Sequence, residues 1–230
     1  MNRIFKAIIR RIKALFLSST AKRHGLVGQP ELWKIKRDFQ INYLKSVGLM
    51  PNHFMVDIGC GTLRGGIPLI AYLDKSHYYG IEFRDFVLEE GKKELKENNL
   101  EQKAPVLLVS KDLATLEMNA KFEYMWAFSV MIHMKDEIAE ACLLMVSKHL
   151  ANNGSYYANV NIIADGITNP DQLEGIWDGF PVVSRSLDFY KTMAAKFNLK
   201  VEDVGDLKSL GHNTSIEKQD SQRMLRFSKI

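Results

Sequence analysis

The sequence predicts an α/β fold in a single domain, a mostly parallel sheet with helices on both faces, preceded by a short basic arm. Three observations carry this. Strand-like apolar runs alternate with helix-length stretches from about residue 30 to the C-terminus, the pattern of parallel strands joined by crossover helices. With 230 residues, 46% of them hydrophobic, the chain can bury one full core. A glycine-rich stretch, Gly59–Gly66, follows a short apolar run directly. Glycines there let the backbone turn sharply and approach a ligand, and a helix starting near Thr62 would aim its free N–H groups into the same crevice.

The elements follow in order. Residues 1–29 form the arm and residues 30–230 the domain. The arm holds seven basic residues (Arg3, Lys6, Arg10, Arg11, Lys13, Lys22, Arg23) and no acidic one. Of 31 Lys and Arg in the chain, 24 therefore remain beyond residue 30 against 27 Asp and Glu, so the body is net −3 although the whole is +4. A mildly acidic body makes nucleic acid an unlikely partner. Wound as a helix, residues 4–17 place Ile4, Phe5, Ile8, Ile9, Ile12, Leu15 and Phe16 on one stripe, with Arg3, Lys6, Arg10 and Lys13 opposite. Such a helix suits the headgroup region of an anionic membrane; the alternative is packing on its own domain or on a sister subunit. Charges interrupt every possible apolar core, so it is a poor signal peptide, and no apolar run is long enough to span a bilayer.

After Pro30 a helix is predicted over 31–47, ended by Gly48. Strands are predicted at 53–58, 78–82, 105–109, 124–128 and 155–161, with helices at 62–73, 85–98 and 135–150 between them. Residues 162–185 read as a long connection, the expected acceptor lid, since so long a connection is uncommon unless it is functional or has structure of its own. A helix near 186–197 and strands at 199–204 and 222–229 complete the chain. Cys60 falls in the glycine turn and Cys142 on an apolar helix face, which gives no disulfide framework and suits free thiols in a reducing compartment.

The passage Val56-Asp57-Ile58-Gly59-Cys60-Gly61-Thr62-Leu63-Arg64-Gly65-Gly66 resembles the first S-adenosylmethionine-binding motif of class I methyltransferases. The resemblance covers nearly everything from residue 30 onward. It implies a Rossmann-like sheet of seven strands whose last two form an antiparallel pair, with S-adenosylmethionine as cofactor. A dinucleotide fingerprint would want glycine where this chain has Arg64, and Asp57 at a strand end repels a pyrophosphate but suits an ammonium group. The turn residues Asp57, Gly59, Cys60, Gly61, Thr62, Arg64 and Gly65 are the expected cofactor contacts. Glu82 ends the next strand, where the matching acid of the family binds both ribose hydroxyls, and Phe83 could pack on adenine. Asp112 and Leu113 follow the third strand, where the family places an acid and a backbone N–H near the adenine ring. Phe128-Ser129-Val130-Met131-Ile132-His133 resembles the passage bordering the transferable methyl in many small-molecule methyltransferases.

Methyl transfer to an alcohol needs alignment and a proton acceptor, and His133 is the first candidate for the base, with His212 a weaker one. The fourth strand ends without the acid expected of metal-dependent catechol-type enzymes, so no metal is expected. Nor does the chain contain the Asn/Asp-Pro-Pro-aromatic tetrapeptide of many enzymes that methylate amino groups. An oxygen nucleophile on a small molecule or glycan is therefore expected, with Trp177 and Asp178 of the 162–185 segment suited to stack and hydrogen-bond a sugar. The chain is similar to bacterial-type methyltransferases of surface-glycan biosynthesis, which implies a cytoplasmic location, peripheral to the membrane. A lipid, quinone or nucleic-acid acceptor, a binding module without turnover, and an NAD-dependent oxidoreductase are the rivals. Oligomeric state is not legible.

Overall fold

The computed structural model describes residues 18–164, 173–177 and 180–230. Helix α1 (Ser19–Gly25) is capped by the Ser18 hydroxyl, which accepts the Ala21 N–H at 3.2 Å. A 3-10 turn at Pro30–Leu32 leads into α2 (Trp33–Ser46). Then come β1 (Met55–Ile58), α3 (Gly66–Tyr72), β2 (Tyr78–Glu82), α4 (Asp85–Glu97), β3 (Val106–Val109), β4 (Phe122–Ala127), α5 (Asp136–His149) and β5 (Leu150–Ile162). The C-terminal part holds β6 (Leu173–Trp177), β7 (Phe180–Arg185), α6 (Leu187–Ala195), β8 (Leu199–Asp206), the single-turn α7 (Glu217–Asp220) and β9 (Arg223–Lys229).

Strands β3, β2, β1, β4 and β5 pair in parallel in that order. β9 then pairs antiparallel with β5, and β8 antiparallel with β9. These seven strands are the expected sheet with its antiparallel C-terminal pair. The chain winds outward from β1 to β3 and returns on the other side of β1 at β4. The crevice beyond the carboxyl ends of β1 and β4 is therefore the switch point where ligands bind in such sheets.

The pleat decides what each face buries, because successive side chains point to opposite sides. Val56, Ile58, Met125, Ala127, Tyr156 and Ala158 pack with α5 and α6 residues such as Leu143 and Tyr190. Met55, Trp126 and Tyr157 pack on the other side with Phe39 and Tyr43 of α2, Leu69 of α3 and Leu88 of α4. Asp57 belongs to this second side, where the Tyr78 hydroxyl donates to it at 2.8 Å.

Two expectations need correction. The helix after the glycine turn starts at Gly66, not near Thr62. Leu63 holds φ at +61°, a left-handed backbone that an α-helix cannot contain, and its fully buried side chain packs in the apolar cluster of that face. Residues 162–185 are also more than a connection. β6 and β7 form an antiparallel pair with Trp177 opposite Phe180, and β7 runs parallel to the end of β5 through Asn161–Ser184 and Ile162–Arg185. Phe180, Val182 and Val183 are strand formers, a signal that Pro181 among them obscures.

Candidate active site

The glycine turn forms because β1 must stop and reverse at the sheet edge of the crevice. Ile81 O accepts both the Gly59 and Cys60 N–H groups, at 2.7 and 3.0 Å, which bends the chain across the end of β2. Gly59 has φ +73° and Gly61 φ +58°. A Cβ at Gly59 would lie 2.5 Å from Val130 Cγ2, and one at Gly61 2.6 Å from Val27 Cγ1. The turn can be this close to its neighbours only with glycine.

A cavity of about 430 Å³ opens in front of it. Of the residues singled out in the sequence, Gly59, Gly61, Arg64, Glu82, Phe83, Asp112, Leu113, Phe128, Ser129 and His133 line this cavity. A smaller polar cavity of about 30 Å³ adjoins it through shared walls and adds Asp57, Cys60 and Gly65. Thr62 lines neither: it lies fully buried beneath the turn, its hydroxyl without a protein partner. Asp178 and the arm residues 4–17 lie outside the described residues, and Trp177 is described only as the end of β6.

Burial sets the electrostatics of the small cavity. Desolvation pushes the Asp57 carboxyl up to about 7, against the hydrogen bond from Tyr78, and pulls the Arg64 guanidinium down to about 10. Arg64 donates from Nη1 to the Val27 carbonyl at 2.9 Å, while its buried Nε has no protein partner. Lys36 of α2 is driven down to about 7 by burial and by the like charge of Arg64. On the β2 side, Glu82 Oε2 accepts the Gly61 N–H at 2.9 Å, and its Oε1 accepts the Arg84 backbone N–H and Nε at 3.1 and 3.2 Å. Asp112 folds its carboxylate onto its own turn, accepting Ala114 N–H and the Thr115 hydroxyl, each at 2.9 Å. Phe83 is half exposed at the mouth and meets Phe180 edge-on, 6.5 Å between centroids.

The opposite wall is built from distant parts of the chain. Ser129 has φ +59°, and its N–H donates to Asn159 Oδ1 at 2.6 Å. Asn159 Nδ2 donates to Gln222 Oε1, Gln222 Nε2 to Asn161 Oδ1, and Asn161 Nδ2 to the Val183 carbonyl. This relay ties the end of β4 to β5, β7 and the segment before β9. His133 sits in the 3-10 turn Met131–His133, with Nδ1 2.7 Å from the Pro181 carbonyl. A carbonyl only accepts, so Nδ1 carries the proton and the basic lone pair lies on Nε2. Burial lowers the histidine's pKa, which keeps the ring neutral near pH 7. Arg185 does not line the cavity but braces a residue that does, donating to the Met134 carbonyl at 2.6 Å and to Asp136 Oδ1 at 2.7 Å. His212 differs: its Nδ1 binds Asp220 at 2.9 Å, it is 1% exposed, and it lines neither cavity.

Asn159, Asn161, Gln222, Arg185, Pro181 and Val27 escape a reading of the sequence. The only local signal was Asn159 and Asn161 at alternate positions in an otherwise apolar strand, which called for buried partners.

Among the described residues, no group of three or more His, Cys, Asp or Glu could hold a metal ion, and no helix is long and apolar enough to cross a membrane. Residues 56–156 match the family model described as a methyltransferase domain. No curated protein matches the chain. Solved structures do. Magnesium protoporphyrin IX methyltransferase from Synechocystis with bound SAH superposes with a TM-score of 0.65 at 18% identity, covering 96% of this chain and 100% of that one. An S-adenosylmethionine-dependent methyltransferase from Clostridium acetobutylicum gives 0.63 at 16% identity, over 86% and 92%. A glycopeptide N-methyltransferase gives 0.62 at 12% identity, over 84% and 90%. At these identities the likeness is one of fold.

Proposed function

We propose that this chain, a class I S-adenosylmethionine-dependent methyltransferase by its domain and its fold, methylates a hydroxyl of a small-molecule or glycan acceptor with His133 as general base. The observation that carries the reading is the His133–Pro181 hydrogen bond, which makes Nε2 the proton acceptor at the wall of the large cavity.

The residues present fit the donor. An amino-acid zwitterion needs an anion and a cation side by side, and the small cavity has Asp57 and the Arg64 guanidinium, whose buried Nε awaits an acceptor. Glu82 uses three of roughly four acceptor positions of a carboxylate, and the longest of these bonds, from Arg84 Nε at 3.2 Å, can give way to a ribose hydroxyl. Asp112, Leu113 and Phe83 are the proposed adenine neighbours, and the backbone at Phe128 and Ser129 the proposed border of the reacting methyl. Bound there, the donor supplies a methyl activated by its sulfonium. Ser129, held by Asn159, would keep the wall rigid so that the acceptor meets that methyl in line. His133 would take the hydroxyl proton on Nε2 as the oxygen attacks.

Trp177 and Asp178 are the proposed acceptor contacts, supported by the neighbouring Phe180 in the cavity wall. The basic arm, residues 1–29, is proposed to bring the domain to the cytoplasmic membrane face through residues 4–17, which suits a lipid or quinone acceptor as readily as a glycan intermediate. Labelled S-adenosylmethionine incubated with fractionated cell extract tests the reading. Label in a glycan or small-molecule fraction supports it, label in lipid redirects it, and donor binding without any labelled product makes the chain a binding module. Calorimetric preference for NAD would sink it.

A further inference from the structure

The segment before α2 reaches the cavities although no motif lies in it. Arg23 of α1 is 3% exposed and is held entirely by α4. Its Nη1 and Nη2 take both oxygens of Glu97 at 2.7 Å, Nη1 meets Glu94 at 2.6 Å, and Nε meets Glu90 at 3.3 Å. The fork on Glu97 is bidentate, which fixes direction as well as distance. Next to it, the His24 ring stacks on Trp33 at 3.5 Å. The chain then crosses the crevice. Arg84 Nη1 donates to the Leu26 carbonyl at 3.4 Å and Arg64 Nη1 to the Val27 carbonyl at 2.9 Å. Val27 lines both cavities, so it lies over their seam, and its Cγ1 fills the space a Cβ on Gly61 would need.

We infer that residues 23–28 are a retaining strap across the middle of the donor site, with Val27 a donor-binding residue and Arg23 the positioning residue that latches the strap to α4. This rests on the methyl-donor reading above. The strap crosses where the two cavities meet, over the Gly61 N–H that binds Glu82. A donor spanning both cavities cannot leave until the carbonyl bonds to Arg64 and Arg84 open. Those bonds use backbone acceptors, so the latch side chain sets how often they open. Exchange of product for donor is therefore governed at Arg23, far in sequence from every motif residue.

The test is the dissociation rate of S-adenosylhomocysteine from the full-length protein, measured by displacement in stopped flow. Arg23→Ala and Val27→Gly should each speed release by about 10-fold or more, a loss of roughly 1.4 kcal/mol of retention. Arg23→Lys should fall between, since an ammonium can meet Glu94 but cannot fork onto Glu97. Thermal melting without ligand checks that each variant folds, and Val27→Gly keeps the test valid if Arg23→Ala does not. Unchanged release in folded Arg23→Ala and Val27→Gly overturns the strap while leaving the donor reading intact. Failure of the unmodified protein to bind S-adenosylhomocysteine overturns both.

Discussion

The two walls of the cavity are built differently. The proposed donor wall comes from one short stretch: Asp57, the glycine turn and Glu82 lie within 26 residues and are positioned by the β1–β2 pairing and backbone hydrogen bonds. The proposed acceptor wall presents Ser129 and His133, which are held by Asn159 and Pro181 and, through Asn159, by Gln222, partners brought to them only by the sheet, the β6–β7 pair and a part-buried polar relay. A wall made of backbone tolerates little side-chain change at its glycines. A wall made of relayed side chains fails wherever one link is lost.

The comparison can be broken at several points. The largest effect is expected from Gly59→Val, whose side chain would collide with Val130 at a backbone with φ +73°. Donor affinity should fall by about 100-fold or more, roughly 2.7 kcal/mol, in calorimetry; an affinity close to the unmodified protein's would mean the turn does not hold the donor. His133→Gln should lower kcat by on the order of 100-fold with donor affinity intact, separating chemistry from binding. Near-normal turnover would remove the histidine from the base role.

The pH profile sharpens the same point. Only the neutral imidazole can take a proton, and burial lowers its pKa from the usual 6.5. With the donor saturating, so that Asp57 is held ionised by the bound ammonium, kcat should therefore persist as pH falls through 6.5 and be lost only below it, with this acid limb absent from the residual activity of His133→Gln. An acid limb centred above pH 7 would assign the titration elsewhere.

Asn159→Leu tests the relay. It leaves the part-buried Ser129 N–H and Gln222 Oε1 without their partner and should lower stability by about 1 kcal/mol, the low end of the cost of an unpaired polar group. A urea midpoint unchanged within error would show that the relay contributes nothing. The smallest effect is expected at the acceptor end. Trp177→Ala should raise the acceptor KM by about 10-fold, on the scale of lost ring stacking, while donor affinity stays put; a matched fall in donor affinity would erase the division between the walls.

Much of this architecture is legible in the amino-acid order, and the places where it is not share a cause. Short apolar runs locate β1, β2 and β4 to within two residues at most ends, since a strand buried on both faces reads as a near-continuous apolar stretch. The glycine turn was equally plain. Its following helix was placed too early because nothing local announces that Leu63 takes a left-handed backbone; the apolar pocket beneath the turn holds it there. The β6–β7 pair is hidden because Gly175 and Pro181 break its strand pattern and its partner, the end of β5, is about twenty residues away in sequence.

By itself, then, the sequence determined the sheet, the turn, Glu82 at a strand end and the residues on which the proposed methyl-donor site rests. All of these depend on residues within a few positions of one another, whose backbone preferences and pleat act locally. Tertiary structure alone decided that His133 keeps its proton on Nδ1, that Asn159 holds Ser129, that Val27 lines both cavities and that Arg23 is held by the carboxylates of α4. Each of those needs two segments tens of residues apart to meet. A hydrogen bond across such a distance leaves no trace in the order of either segment until the fold closes the loop between them.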